Sequence, residues 1–520
     1  MNDVTPVPLA RCLQRQPLAA AVVAGLLALG ALVVAPERVA ASIDVAGPQL
    51  RADPARRIFA QFPAPRTTSH QTHAVATTWP VTNCADDGAG SLRSVIESAA
   101  GGDVIDLTAL TCATITLETG AIVIPFDNLT LSGPGRDVLA IDGNHLDRVF
   151  IHPHGGALTV HAMTIQGGRD RATGFHVAGG GCIASAGYVT LDNTTVRNCY
   201  AGGEGAYGGA LYAYSLTMAN STLSGNVGYG VHEDAGTAAF GGAAFVYSMQ
   251  LTESTVTGNR AEHLFHAGRT SYDIGGGIIA VLGGSIVSST IDSNTSYGRG
   301  GGIAAFSPVT ISNSTLSGNV AQTDIGGALF LRWPAMLQAN NSTFTANHAQ
   351  AGGGGIWIAT STSNLQSSLA FGNSTGAGNF ADLQAPSALM ISGANNLVGI
   401  ASPTVTLPAD TLTANPLLGP LANNGGPTRT HTLGAGSPAV DVGNNLVNLA
   451  FDQRGPAYPR VYGAAADIGA FEQQALPPPI VQTPVPALSA WAMALLAGLL
   501  GWFAWRRQAR TPWPYSAGQR

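Results

Sequence analysis

The chain has few charged residues and no lysine. Asp, Glu, Lys and Arg together make up 10% of its 520 residues, and all 24 cationic side chains are arginine. The absence of lysine excludes a mechanism that needs a lysine base or a Schiff base. The formal net charge is −6, whereas a nucleic-acid partner would require a basic stripe. No nucleic-acid-binding function is therefore expected.

Cysteine is scarce as well. Of the 5 Cys, Cys12 lies in a predicted signal peptide, which leaves Cys84, Cys112, Cys182 and Cys199. An even number in an exported chain is typical of disulfide bonds. We expect one bond between Cys84 and Cys112 and another between Cys182 and Cys199. Neither C-x-x-C spacing nor a histidine cluster accompanies them, so no metal site and no resident cofactor are predicted.

The chain does contain a repeated phrase: a glycine pair, alternating apolar residues, and then S-T-x-x-G-N or a close variant. This ending recurs at 221–226, 254–259, 289–294, 314–319 and 342–347, and subtracting successive Asn positions gives steps of 33, 35, 25 and 28. The glycine pairs recur at similar steps. A period of this length indicates stacked repeats, each of which buries the apolar face of its neighbours.

Within a repeat the apolar residues alternate, which is the period of a strand. Three apolar slots recur when the repeats are aligned. They hold Leu158, Val189, Leu216, Met249, Val309 and Leu337; then Val160, Leu191, Met218, Leu251, Ile286, Ile311 and Ala339; then Ile165, Val196, Leu223, Val256, Ile291, Leu316 and Phe344. Short strands at this period predict an all-β fold, a right-handed parallel β-helix with rungs about 4.8 Å apart.

The slot before each S-T is polar. It holds Asn193, Asn220, Glu253, Ser288, Asn313 and Asn341. Such residues suit a tight turn, because Asn tolerates left-handed backbone geometry and its side chain bonds to nearby backbone. Stacking of these turns predicts a ladder of asparagine side chains at this position.

The N-terminal part of the chain is predicted to be a signal peptide followed by a cap. Residues 1–41 have arginines, an apolar run and a Val-Ala-Ala cleavage site, and 42–80 form a flexible leader. The cap and coils span 81–377. An amphipathic helix begins after Ser91 and covers the open end of the coils. Its G-S-L-R and G-D-x-I motifs resemble the N-terminal segment of bacterial right-handed β-helix surface proteins.

Residues 378–474 are predicted to continue and close the β-helix. They contain N-P-L-L-G-P-L-A-N-N-G-G-P, G-S-P-A-V-D-V-G, D-Q-R-G and D-I-G-A-F-E in order. This segment resembles the choice-of-anchor Q domain, which implies a secreted, surface-held β-helix protein. A polar set in these motifs is expected to pair within loops and close the C-terminal end. It consists of Asp441, Asp452, Arg454, Asp467 and Glu472.

The C terminus is predicted to be an anchor. A proline-rich linker spans 475–486, a transmembrane helix 487–505 and a basic cytoplasmic tail 506–520. The segment resembles the I-P-T-L-x-x-W sorting signal, which implies an exosortase-type enzyme as a partner. The matching residues are Val485, Pro486, Ala487, Leu488, Ser489 and Trp491. The β-helix would then be exported and held at the cell envelope, outside the cytoplasm.

Two functions remain open. Polygalacturonase-like motifs are absent from the coils. The candidate ligand-facing residues lie on long loops: Glu204, His232, Asp234, His263, His266, Asp273, Arg299 and Asp324. Their stacking predicts either a binding or structural surface, adhesin-like, for a glycan or another cell-surface ligand, or a polysaccharide lyase or glycoside hydrolase. Carboxylates that cluster there would bind Ca²⁺ in the second case. Some of the tyrosines near the loops would stack on sugars, whereas tyrosine on a strand commonly serves packing. They are Tyr207, Tyr212, Tyr214, Tyr229, Tyr247 and Tyr272.

Overall fold

A computed structural model describes residues 76–171, 178–203, 205–230, 238–263, 274–360, 362–376, 378, 380–474 and 490–508. The chain divides into two compact units after Gln473. The first unit is a parallel β-solenoid. The second contains the helix Ala490–Gln508.

Four parallel sheets run along the solenoid, with 21, 11, 8 and 3 strands, and we call them sheets A, B, C and D. Each strand pairs in parallel with its counterpart in the next coil. Sheet A contains Thr78–Pro80, Val104–Asp106, Ile122–Val123, Leu129–Ser132, Phe150–His152, Ala157–His161, Ile183–Ser185, Tyr188–Asp192, Leu211–Ala219, Ala244–Thr252, Ile278–Ala280, Gly284–Val287, Ile303–Ala305, Val309–Ser312, Leu329–Leu331, Leu337–Asn340, Ile356–Ile358, Thr362–Gln366, Leu383–Gln384, Leu389–Ser392 and Val405–Thr406.

The other sheets have shorter strands. Sheet B contains Thr114–Thr116, Ala140–Asp142, Thr164–Gln166, Thr195–Arg197, Thr222–Ser224, Thr255–Thr257, Thr290–Asp292, Thr315–Ser317, Thr343–Thr345, Leu369–Phe371 and Leu397–Val398. Sheet C contains Arg169–Arg171, Tyr200–Gly203, Val227–Gly230, Arg260–His263, Thr295–Ser296, Val320–Ala321, His348–Ala349 and Ser374–Thr375. Sheet D contains Ala178–Gly179, Ala206–Tyr207 and Ala239–Phe240, and an antiparallel pair, Leu418–Ala422 and Thr430–Leu433, follows the coils.

The predicted apolar slots form the core of the solenoid. Leu223, Val256, Leu316 and Phe344 are fully buried and follow one another in register along sheet B. The other two slots are buried in the same hydrophobic cluster. Alternation along each strand sends every second side chain inward, and the parallel register stacks like on like. The predicted coil register is confirmed.

The asparagine ladder lies at a different position from the predicted one. The slot before S-T does adopt left-handed backbone geometry, as at Asn193 and Asn220. The ladder instead uses the last Asn of the phrase, where Asn226 Nδ2 donates to Asn259 Oδ1 at 2.8 Å. The same bond recurs in the following coils up to Asp382. These Asn side chains are buried and also donate to backbone carbonyls inside the coil, for example that of Val196.

The N-terminal end is closed as predicted by a helix, Leu92–Ser98. Ser91 is its N-cap, since its side chain accepts from the Ser94 amide, and Leu92 and Ile96 are buried in the main core. The first strand begins earlier than predicted, at Thr78, inside the expected leader. The Trp79 indole donates to Asp103 at 2.8 Å, which ties this strand to the next coil.

Both predicted disulfide bonds are present. Cys84–Cys112 joins the segment before the capping helix to the coil after it, and Cys182–Cys199 lies inside one coil. Their Cα atoms are 6.4 and 5.5 Å apart. Both bonds agree with an exported chain.

The first part of the predicted 378–474 region continues the β-helix, with strands up to Val405–Thr406, and the coils end near Leu412, which bridges to Leu397. Ala401, Val405 and Leu407 pack against the end of the core. Residues 415–473, which we call the cover, instead lie along sheet B. Thr290 donates to the Arg429 carbonyl, and the cover's polar residues find partners on the turns and strands of the coils. The physical reason is that this side of the later coils offers hydroxyl and amide groups that the cover can bond.

The C-terminal helix differs from the predicted span of 487–505. It begins at Ala490 and includes Arg506 and Arg507 in its last turn. Among the residues that the structure describes, no helix combines the length and the apolar character needed to cross a membrane.

Candidate ligand-binding face

Most of the predicted loop residues fall outside the described residues. They are Glu204, His232, Asp234, His266 and Asp273, together with Tyr272. Three remain: His263, Arg299 and Asp324. The sorting residues Val485, Pro486, Ala487, Leu488 and Ser489 also lie outside the described part, as does the side chain of Trp491.

Arg299 and Asp324 form an ion pair. Arg299 Nε is 2.6 Å from Asp324 Oδ2, and its guanidinium carbon lies 5.6 Å from the centre of the Phe330 ring. His263 instead packs edge-on against Tyr297, with ring centres 4.7 Å apart. In the described part of the chain, no group of three or more His, Cys, Asp or Glu side chains could hold a metal ion.

The predicted long loops lie between strands that are stacked in successive coils. They leave from stacked strands of sheet C, where Gly202, Tyr229 and Glu262 are in register. They return into stacked strands of sheet D, where Ala178, Ala206 and Ala239 are in register. Positions 172–177, 204, 231–237 and 264–273 thus follow strands of sheet C. The first three precede strands of sheet D, and the last precedes Ile274, which bridges to Phe240 of sheet D.

The outer face of sheet C next to these insertions carries aromatic and charged side chains. Ala201 and Ala261 are buried, so by alternation Tyr200 and Glu262 point outward. Arg169 and Arg171 lie on the strand one coil before Tyr200, in register with Tyr200 and Gly202. We call this set, Arg169, Arg171, Tyr200, Tyr229 and Glu262, the tyrosine column.

A glycine allows the Tyr200 ring to lie across its own strand. A Cβ atom on Gly202 would stand 2.5 Å from Cε1 of that ring. Any larger residue there would displace the ring. The Tyr200 and Tyr229 rings are stacked, with centres 6.4 Å apart and an angle of 28° between planes. Both tyrosines are half-buried, which leaves part of each ring accessible.

The charges of the column act on Tyr200. The Arg169 guanidinium carbon lies 4.9 Å from the centre of its ring, a cation–π distance. Burial raises the pKa of Tyr200, while Arg169 and Arg171 oppose the rise and Glu262 adds to it. The phenol is therefore neutral at physiological pH and can donate or accept a hydrogen bond.

The disulfide bond Cys182–Cys199 lies next to the tyrosine column. Cys199 immediately precedes Tyr200, and Cys182 Sγ accepts from the amide of Gly168, the residue before Arg169, at 3.2 Å. A Cβ atom on Gly168 would stand 2.8 Å from that sulfur. The bond thus holds together the two strands that carry Arg169 and Tyr200.

Other predicted tyrosines have a packing role. Tyr207 and Tyr212 are buried in a second apolar cluster outside the main core, where Tyr207 stacks on Phe240 and Tyr212 on Phe245. Tyr214 and Tyr247 stack on each other on sheet A, with ring centres 5.4 Å apart. Only Tyr229 of the predicted set belongs to the tyrosine column.

Arg169, Arg171 and Tyr200 were not among the ligand-facing residues predicted from the sequence. The sequence does contain a pattern that could have identified them, since they follow the end of the repeated phrase at alternating positions. They were overlooked because the insertions, and not the strands before them, appeared to carry the polar residues.

Comparison with known proteins bears mainly on the C terminus. Residues 483–510 match the IPTL-CTERM motif. The chain carries this sorting signal. It supports an exported, surface-held protein whose signal is processed by a sorting enzyme. The resemblance of 378–474 to a choice-of-anchor Q domain stays a prediction.

The chain is similar to a structure titled "Crystal structure of pectate lyase Pel9A", with a TM-score of 0.36 and 16% identity, over 78% of this chain and 99% of that one. No curated protein matches the chain significantly.

Proposed function

We propose that this protein is a surface-held β-solenoid that binds a glycan along the tyrosine column. The observation that carries the proposal is the stacked pair of half-buried rings, Tyr200 and Tyr229, beside the insertions. Tyrosine offers a rigid, apolar ring face and a polar hydroxyl, a combination suited to sugars.

The dimensions of the column favour an extended ligand. Arg171, Gly202, Tyr229 and Glu262 occupy consecutive coils in register. Neighbouring parallel strands are about 4.8 Å apart, so the column is roughly 14 Å long. A polysaccharide lying along the solenoid axis would place successive sugar rings against it, with polar groups available at both ends.

The sorting signal explains how such a surface would be presented. The IPTL-CTERM match at 483–510 supports processing by an exosortase-type enzyme after export. Mass spectrometry of the envelope form tests this. Loss of the peptide beyond Val485 and Pro486 is expected, and an intact C terminus would contradict processing.

A glycan array probed with the exported protein tests the binding function. We expect Tyr200→Ala and Tyr229→Ala each to weaken binding about tenfold, the effect of losing one aromatic anchor. Tyr188→Ala is the matched control, because Tyr188 is an exposed tyrosine on sheet A, 45% accessible. It should leave binding unchanged.

The same array separates binding from catalysis. New reducing or unsaturated sugar ends in a bound polysaccharide would support the polysaccharide-active enzyme instead. An array without any bound glycan, or equal losses in all three tyrosine variants, would contradict a glycan site at the tyrosine column.

A further inference from the structure

We propose that the ligand of the tyrosine column is anionic and that its carboxylate or sulfate groups bind Arg169 and Arg171. This inference rests on the glycan-binding function proposed above and names the chemical class of the glycan. It is carried by the distribution of charge around Tyr200.

The other arginines of this region already have carboxylate partners. Arg260 Nε lies 2.7 Å from Glu262 Oε1. Arg148 forms a buried ion pair with Asp170, beneath sheet C. The two charges within each pair neutralise each other, so neither pair offers a net charge to a ligand.

Arg169 and Arg171 differ from them. In the part of the chain that the structure describes, neither forms an ion pair, and Arg169 Nε is buried without a hydrogen-bond acceptor. Arg169 rests on the Tyr200 ring and Arg171 is exposed. A cation without a carboxylate partner gains more from an anionic ligand than a paired one does.

The two guanidinium groups are placed to act together. Residues two apart on a strand point to the same face and are about 6.6 Å apart along it. Both act electrostatically on Tyr200, which lies on the next coil. A sugar ring beside the exposed part of Tyr200 would therefore hold its exocyclic group near both arginines. The planar fork of arginine fits carboxylate and sulfate oxygens in a bidentate manner.

The opposite end of the column is different. Glu262 occupies the last of the four coils and is paired with Arg260. The column is thus cationic at one end and neutral at the other, on a chain whose net charge is −6. This asymmetry orients an anionic chain and repels it from the rest of the surface.

The test is an array of neutral, uronate-containing and sulfated polysaccharides probed with the exported protein, Arg169→Gln and Arg171→Gln. We expect binding to acidic glycans, with each substitution weakening it about tenfold, as for a lost charge-assisted hydrogen bond. Arg197→Gln is the matched control, since Arg197 is an exposed arginine on sheet B. It should have no effect. Melting temperatures of all variants check that the fold is retained.

Two further binding measurements identify which anionic group of the polysaccharide is recognised. A carboxyl-reduced form and a desulfated form of the bound polysaccharide each lack one anionic group, and loss of binding to either one assigns the group. Binding also should weaken as salt is raised.

The outcomes are separable. Binding to neutral glycans alone, or retained affinity in both arginine variants, would overturn the anionic ligand while the glycan site stands. An absence of binding to every glycan would overturn the proposed function itself.

Discussion

The same sequence phrase lies in two environments along sheet B. In the earlier coils, the outward residues Thr255 and Thr257 are half-buried. In the later coils, Thr315 and Ser317 occupy the same register positions and are fully buried under the cover. The inward residues between them are equally buried in both places. The coil therefore does not need the cover in order to form.

The open and the covered coils differ in the hydrogen bonds that their outward residues form. Thr315 donates to Gln453 at 2.6 Å, and the Gln453 amide donates to Thr290 at 2.8 Å. Ser317 bonds to His431 at 2.9 Å. Hydroxyl groups can bond either to water or to a protein partner, so one repeat serves an open face and a covered one.

The cover is itself held by buried charges. Arg460 and Glu472 are fully buried and form an ion pair at 2.8 Å, and Arg460 also donates to Asn313 on the solenoid. Arg454 pairs with Asp452 and lies between the rings of Tyr458 and Phe471, 3.8 and 3.9 Å from their centres. The predicted polar set does pair within loops, but it holds the cover and not the end of the coils.

The largest expected loss of stability should be the same in the open and the covered coils. Leu223→Asp in an open coil and Leu316→Asp in a covered one each place a charge in the core column. We expect each to destabilise the protein by at least about 3 kcal/mol, more than a cavity of the same size. Chemical unfolding curves measure this, with Thr222→Ala as the outward control. A mild effect in either coil would contradict a shared core.

Breaking the buried ion pair should affect the covered region alone. Arg460→Ala leaves Glu472 buried without its partner, at a cost of about 3–5 kcal/mol. Hydrogen exchange should then increase in 428–433 and 451–473 and stay unchanged in Thr222–Ser224. The double variant Arg460→Met/Glu472→Leu is the control, because removal of both charges is nearly neutral. Unchanged exchange in the cover after Arg460→Ala would show that the pair does not hold it.

The stability of the cover should depend on pH through Glu472. Burial raises its pKa to about 7, while Arg460 opposes the rise. The unfolded-state pKa is lower, about 4.3, so the folded cover binds more protons and loses stability as pH rises from about 4 to about 7. Burial lowers the pKa of His431, which acts in the opposite direction in acid. The difference in melting temperature between the protein and Glu472→Gln isolates the Glu472 effect. A difference that does not change with pH would contradict it.

The smallest effect concerns a single hydroxyl. Thr315→Val removes the bond to Gln453 and should cost about 1 kcal/mol, whereas Thr222→Val in an open coil should change stability by less than about 0.5 kcal/mol. Thermal melts of the two variants measure the contrast. Equal effects would mean that the cover gains nothing from this hydroxyl.

Sequence reasoning succeeded where residues act through their neighbours along the repeat. The alternation around Leu223, the N-cap Ser91 and the two disulfide bonds were all predicted correctly. It failed for the asparagine ladder, because the prediction chose the Asn position with left-handed backbone geometry, such as Asn220, whereas the ladder uses Asn226 and its successors, which lack that geometry.

Two features of the molecule are determined only by its tertiary structure. The first is that the tyrosine column forms, because Arg169, Tyr200 and Tyr229 meet only when separate coils stack in register. The second is that residues 415–473 lie along sheet B. The period of the apolar residues alone dictates the coil, since every coil repeats the same local contacts. The local sequence does not determine the partner of an outward hydroxyl. Thr255 and Thr315 occupy the same position of the repeat, and they differ only because the cover folds against Thr315.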